Sequence, residues 1–325
     1  MRTISWVAVI ASVLLAACAD AVEEPSGATS SSASTGTGAG GAGGSSIGIG
    51  GGPSGPESFV RFSKELSWCA VRSSGKVVCW QPVQGVFEEQ PKGELTTVPG
   101  IDDATEVVVE GHAACALRAS GKVACWGRVL FGDWGSVDAM ALTTATDLPG
   151  VADVTALSAP IFDYSLCMIR KGGQVSCYDH DALVPSDVQG LTDAVAISGL
   201  CALRASGHVA CFGVGGSLAS GSPSIDDAIA VTSDCMLRAT GEVWCSMNGH
   251  YQKIPGFEHI TRVKQGQYEV CGIDAARDVS CWTVGDDAAK PINMHDAWDV
   301  GLGYDNRCVI HSKGELYCGG TVFGN

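Results

Sequence analysis

The sequence predicts an all-β protein built as a circular array of propeller blades, and two observations carry that prediction. An eleven-residue unit bracketed by cysteines, CALRASGKVAC in its clearest copy, recurs seven times. The copies run from Cys69 to Cys79, Cys115 to Cys125, Cys167 to Cys177, Cys201 to Cys211, Cys235 to Cys245, Cys271 to Cys281 and Cys308 to Cys318. The first cysteines of successive copies stand 46, 52, 34, 34, 36 and 37 residues apart. That interval suits a unit of four short strands, the size of one blade.

Each copy reads as a β-hairpin. An aliphatic follows the first cysteine by two residues (Val71, Leu117, Ile169, Leu203, Leu237, Ile273, Ile310), and another precedes the second by two (Val77, Val123, Val175, Val209, Val243, Val279, Leu316). Such period-two alternation marks two strands. Gly75, Gly121, Gly173, Gly207, Gly241 and Gly314 share one place between the arms, which fits a type I turn closed by a glycine bulge. Arg277 stands there in the sixth copy, so a different turn is expected. The turn sets Val71 against Val77 and Cys69 against Cys79, close enough for a bridge. Metal ligation would want cysteines two to four residues apart, or histidines beside them. Buried free thiols are the second alternative, since cysteine packs well in cores. Strict spacing and an even count in an exported chain favour seven disulfides, each worth roughly 2–3 kcal/mol through its short loop.

The N-terminus assigns the compartment. Arg2 precedes an apolar run, Ile4 to Ala17, too short to span a bilayer. It ends in Leu15-Ala16-Ala17-Cys18, which resembles the lipobox of bacterial lipoproteins. The resemblance implies cleavage before Cys18 and acylation of that residue; an ordinary signal peptide with an incidental cysteine is the alternative. Cys18 is the one cysteine outside the seven pairs. Ala19 rather than an acidic residue follows it, which in lipoproteins points to the outer membrane. Residues 18–57 are rich in Gly, Ser, Thr and Ala, too poor in apolar surface to fold. As a flexible tether they reach on the order of 35 Å. The domains expected are a signal peptide at 1–17, a lipidated cysteine with its linker at 18–57, and the repeat array at 58–325.

A second segment precedes most hairpins: TTVPGIDDATEV (96–107), TDLPGVADVTAL (146–157) and SDVQGLTDAVAI (186–197), with weaker copies at 222–231 and 253–263. It reads as strand, turn, strand. Asp103, Asp153, Asp193, Asp227 and Asp296 share the turn position. Aspartate commonly caps turns through nearby backbone N–H groups, with calcium ligation as the alternative.

The cysteine-aliphatic pattern with its upstream Val-x-Gly and Asp resembles the regulator of chromosome condensation repeat family, and is similar to the bacterial β-lactamase inhibitor protein type II propellers. The match covers nearly all of 58–325 and implies a seven-bladed β-propeller. The glycine-rich loop of that family is largely missing, its nearest remnant being Phe131-Gly132-Asp133-Trp134-Gly135. The first hairpin has only linker upstream, while Thr321-Val322-Phe323-Gly324-Asn325 reads like the missing TTVPG. The C-terminal strand is therefore expected to complete the blade begun by Phe59 and Val60, hiding an open edge.

Hydrophobic residues make up 46% of the chain and charged ones 17%, enough for a full core. A net charge of −15 without a Lys/Arg cluster argues against nucleic acid, so the chromatin role of the eukaryotic relatives is not transferred. The seven histidines are scattered, with no H-E-x-x-H, and no G-x-S-x-G elbow occurs. Asp179-His180-Asp181 and Glu88-Glu89 read as solvated loops. No cofactor or metal is expected. Trp80, Trp126, Tyr178, Phe212 and Trp282 follow the second cysteines and are expected to wedge between blades rather than to bind a ligand. Segments 81–95 and 128–145 break the repeat, and Phe131, Asp133 and Trp134 within the second are the candidate binding loop. The reading is a monomeric, non-enzymatic, lipid-anchored envelope module that binds a protein or glycan, favouring a basic partner. An envelope hydrolase or lyase with an axial or inter-blade site, and a structural envelope protein, are the alternatives.

Overall fold

A computed structural model describes residues 58–64, 68–80, 95–110, 113–128, 141–159, 165–178, 184–213, 215–219, 223–247, 249–303, 307–318 and 321–323. The repeat folds into a seven-bladed β-propeller. Seven antiparallel sheets follow one another along the chain, six of four strands and one of three. In each blade the strands lie side by side in chain order. The first strands are Phe59–Lys64, Ala104–Glu110, Val154–Ser158, Ala194–Ser198, Ala228–Val231, Ile260–Gln265 and Ala297–Leu302. They neighbour one another around the complete ring and so surround its axis. Blade 4 has no named fourth strand, and a bridge between Phe212 and Leu218 stands in its place.

The hairpins have the expected register. Cys69 opposes Cys79 and Val71 opposes Val77 on the second and third strands, and the other six copies repeat this. Each cysteine is bonded to the one it opposes. In chain order Cys69 bonds Cys79, Cys115 bonds Cys125, Cys167 bonds Cys177 and Cys201 bonds Cys211. Cys235 then bonds Cys245, Cys271 bonds Cys281 and Cys308 bonds Cys318. The Cα–Cα separations lie between 4.0 and 4.2 Å. Such closeness belongs to the non-hydrogen-bonded pairs of an antiparallel ladder. These fourteen sulfurs are therefore neither free thiols nor metal ligands, which removes both alternatives left open by the spacing. Their surroundings are not uniform. Cys125 and Cys177 are buried in the gaps between blades, whereas Cys211 is only half-buried and its Sγ lies 3.9 Å from the Tyr251 hydroxyl. The turns close as anticipated: Gly75 N donates to Arg72 O at 2.9 Å, and Arg72 N to Lys76 O at 2.9 Å.

The sixth turn corrects the expectation made for it. Arg277 adopts a left-handed φ of 70°, the glycine conformation, and its N–H reaches Asp274 O at 3.1 Å just as the glycines do. The turn is unchanged, at a cost of about 1–2 kcal/mol in backbone strain. Arg277 Nη1 lies 3.3 Å from Asp296 Oδ1 on the next blade's approach.

Ring closure also departs from expectation. Thr321–Phe323 pairs with Leu316–Cys318 and completes the last blade, not the first. No blade is shared between the chain ends: each is one continuous stretch. The physical reason is that every junction is already stitched alike. The residue opening a first strand donates its N–H to the turn carbonyl of the preceding blade: Ala104 to Gly75, Val154 to Gly121, Ala194 to Gly173, Ala228 to Gly207, Ile260 to Gly241 and Ala297 to Arg277. Phe59 N donates to Gly314 O at 3.0 Å, so the first blade docks on the last by the same bond. Behind it Phe59, fully buried, packs with Cys308, Ile310 and Leu316. Similar apolar clusters fill other gaps between blades, and Tyr178, Phe212 and Trp282 are buried in them. Trp126 packs against its cluster in part, while the Trp80 side chain lies outside the described residues.

The turn glycines are needed twice over. Gly314 has φ +83°, and a Cβ there would lie 2.3 Å from the Ser58 Cβ. Gly100 has nearly the same φ, +80°, with nothing within 4 Å of its imagined Cβ. Gly100→Ala therefore measures backbone strain alone, about 1–2 kcal/mol, or about 2–4 °C per kcal/mol in a domain of this size. Gly314→Ala is expected to lower Tm clearly further by thermal denaturation. Equal losses would mean that the blade 7–blade 1 seam is not the close contact described.

Candidate functional site

The strand order gives the propeller two unlike ends. Connections between second and third strands, and from one blade to the next, share one end. Connections between first and second strands, and between third and fourth, share the other.

The first end is built for assembly. The turn-position aspartates are held by arginines three residues after the first cysteine of their own blade: Asp103 by Arg118 at 3.0 Å, Asp193 by Arg204 at 2.9 Å, Asp227 by Arg238 at 2.7 Å, and Asp153 by Arg170. Asp296 instead accepts from Ser312 Oγ at 2.6 Å and meets Arg277. The aspartates do not simply cap their own turns. Their carboxylates bind arginine, and their backbone carbonyls accept from the end of the second strand, as Asp103 O does from Ala119 N at 2.8 Å. With carboxylates so engaged, the calcium alternative has no donor set among the described residues here. These pairs are partly exposed and add little stability each; their role is positional.

The second end carries the repeat-breaking segments. Segment 81–94 runs between Val77–Trp80 and Leu95–Thr97, and segment 129–140 between Val123–Arg128 and Ala141–Asp147, both third-to-fourth strand connections. Phe131, Asp133 and Trp134, like Asp179, His180 and Asp181, lie outside the described residues.

At this same end a cleft of about 400 Å³ opens between blades 5 and 6. Its floor is Val270, Trp282 and the Cys235–Cys245 disulfide, and Tyr268 and Val284 stand at its mouth, 50% and 66% exposed. Gln265 braces one wall: its Nε2 donates to Asp234 Oδ2 at 2.6 Å, and its Oε1 accepts from Thr232 Oγ1 at 2.6 Å and Asp234 N at 2.9 Å. Glu269 makes a two-pronged pair with Arg307 of blade 7, which holds the Arg307 guanidinium above its ordinary value. The nearby grouping of Glu269, Cys271 and Cys281 offers no metal site, because its two sulfurs are bonded to each other. Nor does His295 form a catalytic pair with a nucleophile: its ring nitrogens are taken by Asp278 at 2.6 Å and Asn293 at 3.3 Å. Two exposed apolar side chains thus stand over an apolar floor, with the carboxylates of Asp234 and Glu269 at the rim.

A second arrangement, missed in the sequence, lies at the axis. In every blade a bulge in the first-strand pairing precedes one residue that opposes the aliphatic after the first cysteine. Around the ring these residues are Arg61, Glu106, Ala156, Ala196, Ala230, Arg262 and Asp299. Glu106, Arg262 and Asp299 are 4%, 7% and 5% exposed. Lys264, partly buried, joins them with Nζ 3.2 Å from Asp299 Oδ1. The Arg262 guanidinium lies 3.9 Å over the Trp298 ring and donates to Trp298 O, and burial pulls it below its ordinary value. Glu106 Oε2 accepts from Leu157 N of the next blade at 3.3 Å. Its carboxyl is pushed up to about 8 by burial, against the lowering effects of that N–H, Arg61 and Lys264. The available signal was a charge set within an apolar strand segment: Thr105-Glu106-Val107, Thr261-Arg262-Val263 and Trp298-Asp299-Val300.

Glu106 makes stability depend on pH with a definite sign. Its folded value is raised, so from about pH 5 to about pH 8 the folded chain keeps a proton that the unfolded chain releases, and stability falls as pH rises. Glu106→Gln removes that component. The Tm of the variant relative to wild type is expected to climb between about pH 5 and pH 8 and then level off. A pH-independent difference would show Glu106 to be ionised in the folded state.

No protein-family model matches the chain, and no curated protein does. Solved structures do. Prp20p from Saccharomyces cerevisiae, described together with its binding to Gsp1p and histones, superposes with a TM-score of 0.60 at 12% identity, over 75% of this chain and 80% of that one. The computationally designed Ika8 protein gives a TM-score of 0.53 at 13% identity, over 84% and 88%. At such identities the likeness concerns fold alone: a propeller like that of Prp20p.

Proposed function

We propose that this chain is a lipid-anchored, non-enzymatic interaction module of the bacterial cell envelope that holds a protein partner on its loop-bearing end. The single observation that carries the reading is the cleft between blades 5 and 6, with Tyr268 and Val284 exposed at its mouth. Aromatic and aliphatic anchors beside a desolvated floor are the usual centre of a protein interface. The strands flanking both repeat-breaking segments, Val77–Trp80 with Leu95–Thr97 and Val123–Arg128 with Ala141–Asp147, meet those segments at that same end. Asp234 on the rim, and the net charge of −15, favour a basic partner through steering. Binding of proteins by Prp20p supports the class of function, not the target. Seven disulfides suit an oxidising compartment, and Cys18 with the linker after it supports an anchor that holds the propeller clear of lipid, at the outer membrane.

Affinity capture from an envelope fraction, with the full chain as bait, tests the surface. A Tyr268→Ala/Val284→Ser variant and a Phe131→Ala/Trp134→Ala variant are each expected to weaken binding of the captured protein at least about tenfold, with Tm unchanged. Undiminished capture by both variants rejects the loop-bearing end as the binding surface. Anchoring is tested separately by metabolic labelling with an alkyne fatty acid. Wild type is expected to be labelled and to sediment with membranes, and Cys18→Ala to be unlabelled and released. Label persisting in Cys18→Ala would rule out the lipid assignment.

A further inference from the structure

We propose that the Cys201–Cys211 bond is a thiol-exchange site: a small thiol attacks Cys211 and opens this one bridge while the propeller stays folded. The proposal stands apart from the binding reading above.

The first observation is a missing cover. In six blades the second cysteine of the hairpin pairs with a residue of the fourth strand. Cys79 pairs with Thr96, Cys125 with Thr146, Cys177 with Ser186, Cys245 with Gln252, Cys281 with Lys290 and Cys318 with Thr321. Blade 4 is the three-stranded sheet, and its last strand is Val209–Cys211. The segment that follows leans toward blade 3 instead. Gly216 O accepts from Gln189 N at 3.0 Å, and Leu218 Cδ1 lies 3.7 Å from where a Cβ on Gly190 would stand. Ala219 N donates to Cys211 O at 2.8 Å, but no fourth strand continues from it among the described residues. Cys211 is half-buried, whereas Cys125, Cys177, Cys245, Cys281 and Cys318 are at most 5% exposed. Cys79 is half-buried as well, yet it keeps its fourth-strand partner.

The second observation is that the two sulfurs are unlike. Cys201 is 5% exposed, so an approaching nucleophile meets Cys211 first. Reactivity of a disulfide follows such access. Cys201 is then the departing sulfur, and Ser233 O stands 3.4 Å from its Sγ, an acceptor for the S–H that forms. Beside Cys211 the Tyr251 hydroxyl lies 3.9 Å from Sγ. Burial, and next the Asp234 carboxylate, raise that phenol above its ordinary value. An incoming thiolate therefore meets a neutral hydroxyl at this contact and not a phenolate.

The chemistry balances with the thiol as the sole co-reactant. A thiolate forms a bond to Cys211 Sγ and the Sγ–Sγ bond breaks. Its electron pair leaves with Cys201, which takes a proton from water. A second thiol attacking the mixed disulfide leaves both cysteines reduced and the two thiols joined as their own disulfide, so two electrons have passed to the protein. The other six bridges and the hydrogen bonds between blades take no part, and the ring holds.

The test exposes the folded full chain to 2-mercaptoethanol for set times and blocks freed thiols with iodoacetamide. Peptides are then mapped by mass spectrometry, with circular dichroism followed in parallel. Cys201 and Cys211 are expected to open at least about tenfold faster than any other bridge, with dichroism unchanged. The mixed disulfide is expected on Cys211, with Cys201 carrying the iodoacetamide label. Equal rates at all seven bridges would mean opening by global unfolding and would overturn the proposal. Faster opening at Cys69–Cys79, or an adduct carried by Cys201, overturns it too.

Discussion

The constraint on which the structure depends is the register of seven small hairpins, each held by a sulfur–sulfur bond across its two arms. A slip of one residue would send the two sulfurs to opposite faces of the sheet, so the bond admits one register only. That register lines the aliphatics of both arms on one face, and the same pairing carries inward to the first strand. The blade-to-blade gaps are then filled by branched aliphatics, buried aromatics and the sulfurs themselves, those of Cys125 and Cys177 among them. Oxidation thus contributes to stability directly and also preselects the pleat on which the packing is built.

Closing the ring is a separate matter, and it is handled at one end of the blades. Each turn glycine sits against the backbone of the next blade and accepts its first N–H. The seam between last and first blades uses this same contact, with Ser58 where five other junctions have aspartate and one has His259. Exchange of terminal strands is therefore unnecessary. The similarity of Thr321–Phe323 to the other fourth strands was real, but it meant that this segment finishes its own blade.

Much of the fold was legible because its markers are chemically singular. Cysteines at a fixed interval, a glycine at a left-handed turn and alternating aliphatics point to one local solution. Arg277 was misread because a residue type reports the strain of a turn and not its geometry; the surrounding sheet imposes the conformation. The turn aspartates were located correctly but given the wrong partner, since Arg118 and its counterparts are remote in sequence and adjacent only after the hairpin folds. The axial ring was not legible for a related reason. Arg61, Glu106, Arg262 and Asp299 are spread over more than two hundred positions, and only circular topology places them at one level. Exposed Tyr268 and Val284 were likewise inconspicuous, because burial decides whether an apolar residue is core or contact.

Because each blade is an unbroken length of chain and every junction repeats the same bond, the structural unit is also a contiguous sequence unit. A duplicated stretch of some thirty-five codons brings both halves of a new seam with it, whereas a ring fastened by interleaved ends would have to rebuild its clasp. The copies are then free to diverge singly. The three alanines and four charged residues at the axis, and the two long insertions confined to neighbouring blades, show how far the seven copies differ from one another at equivalent places.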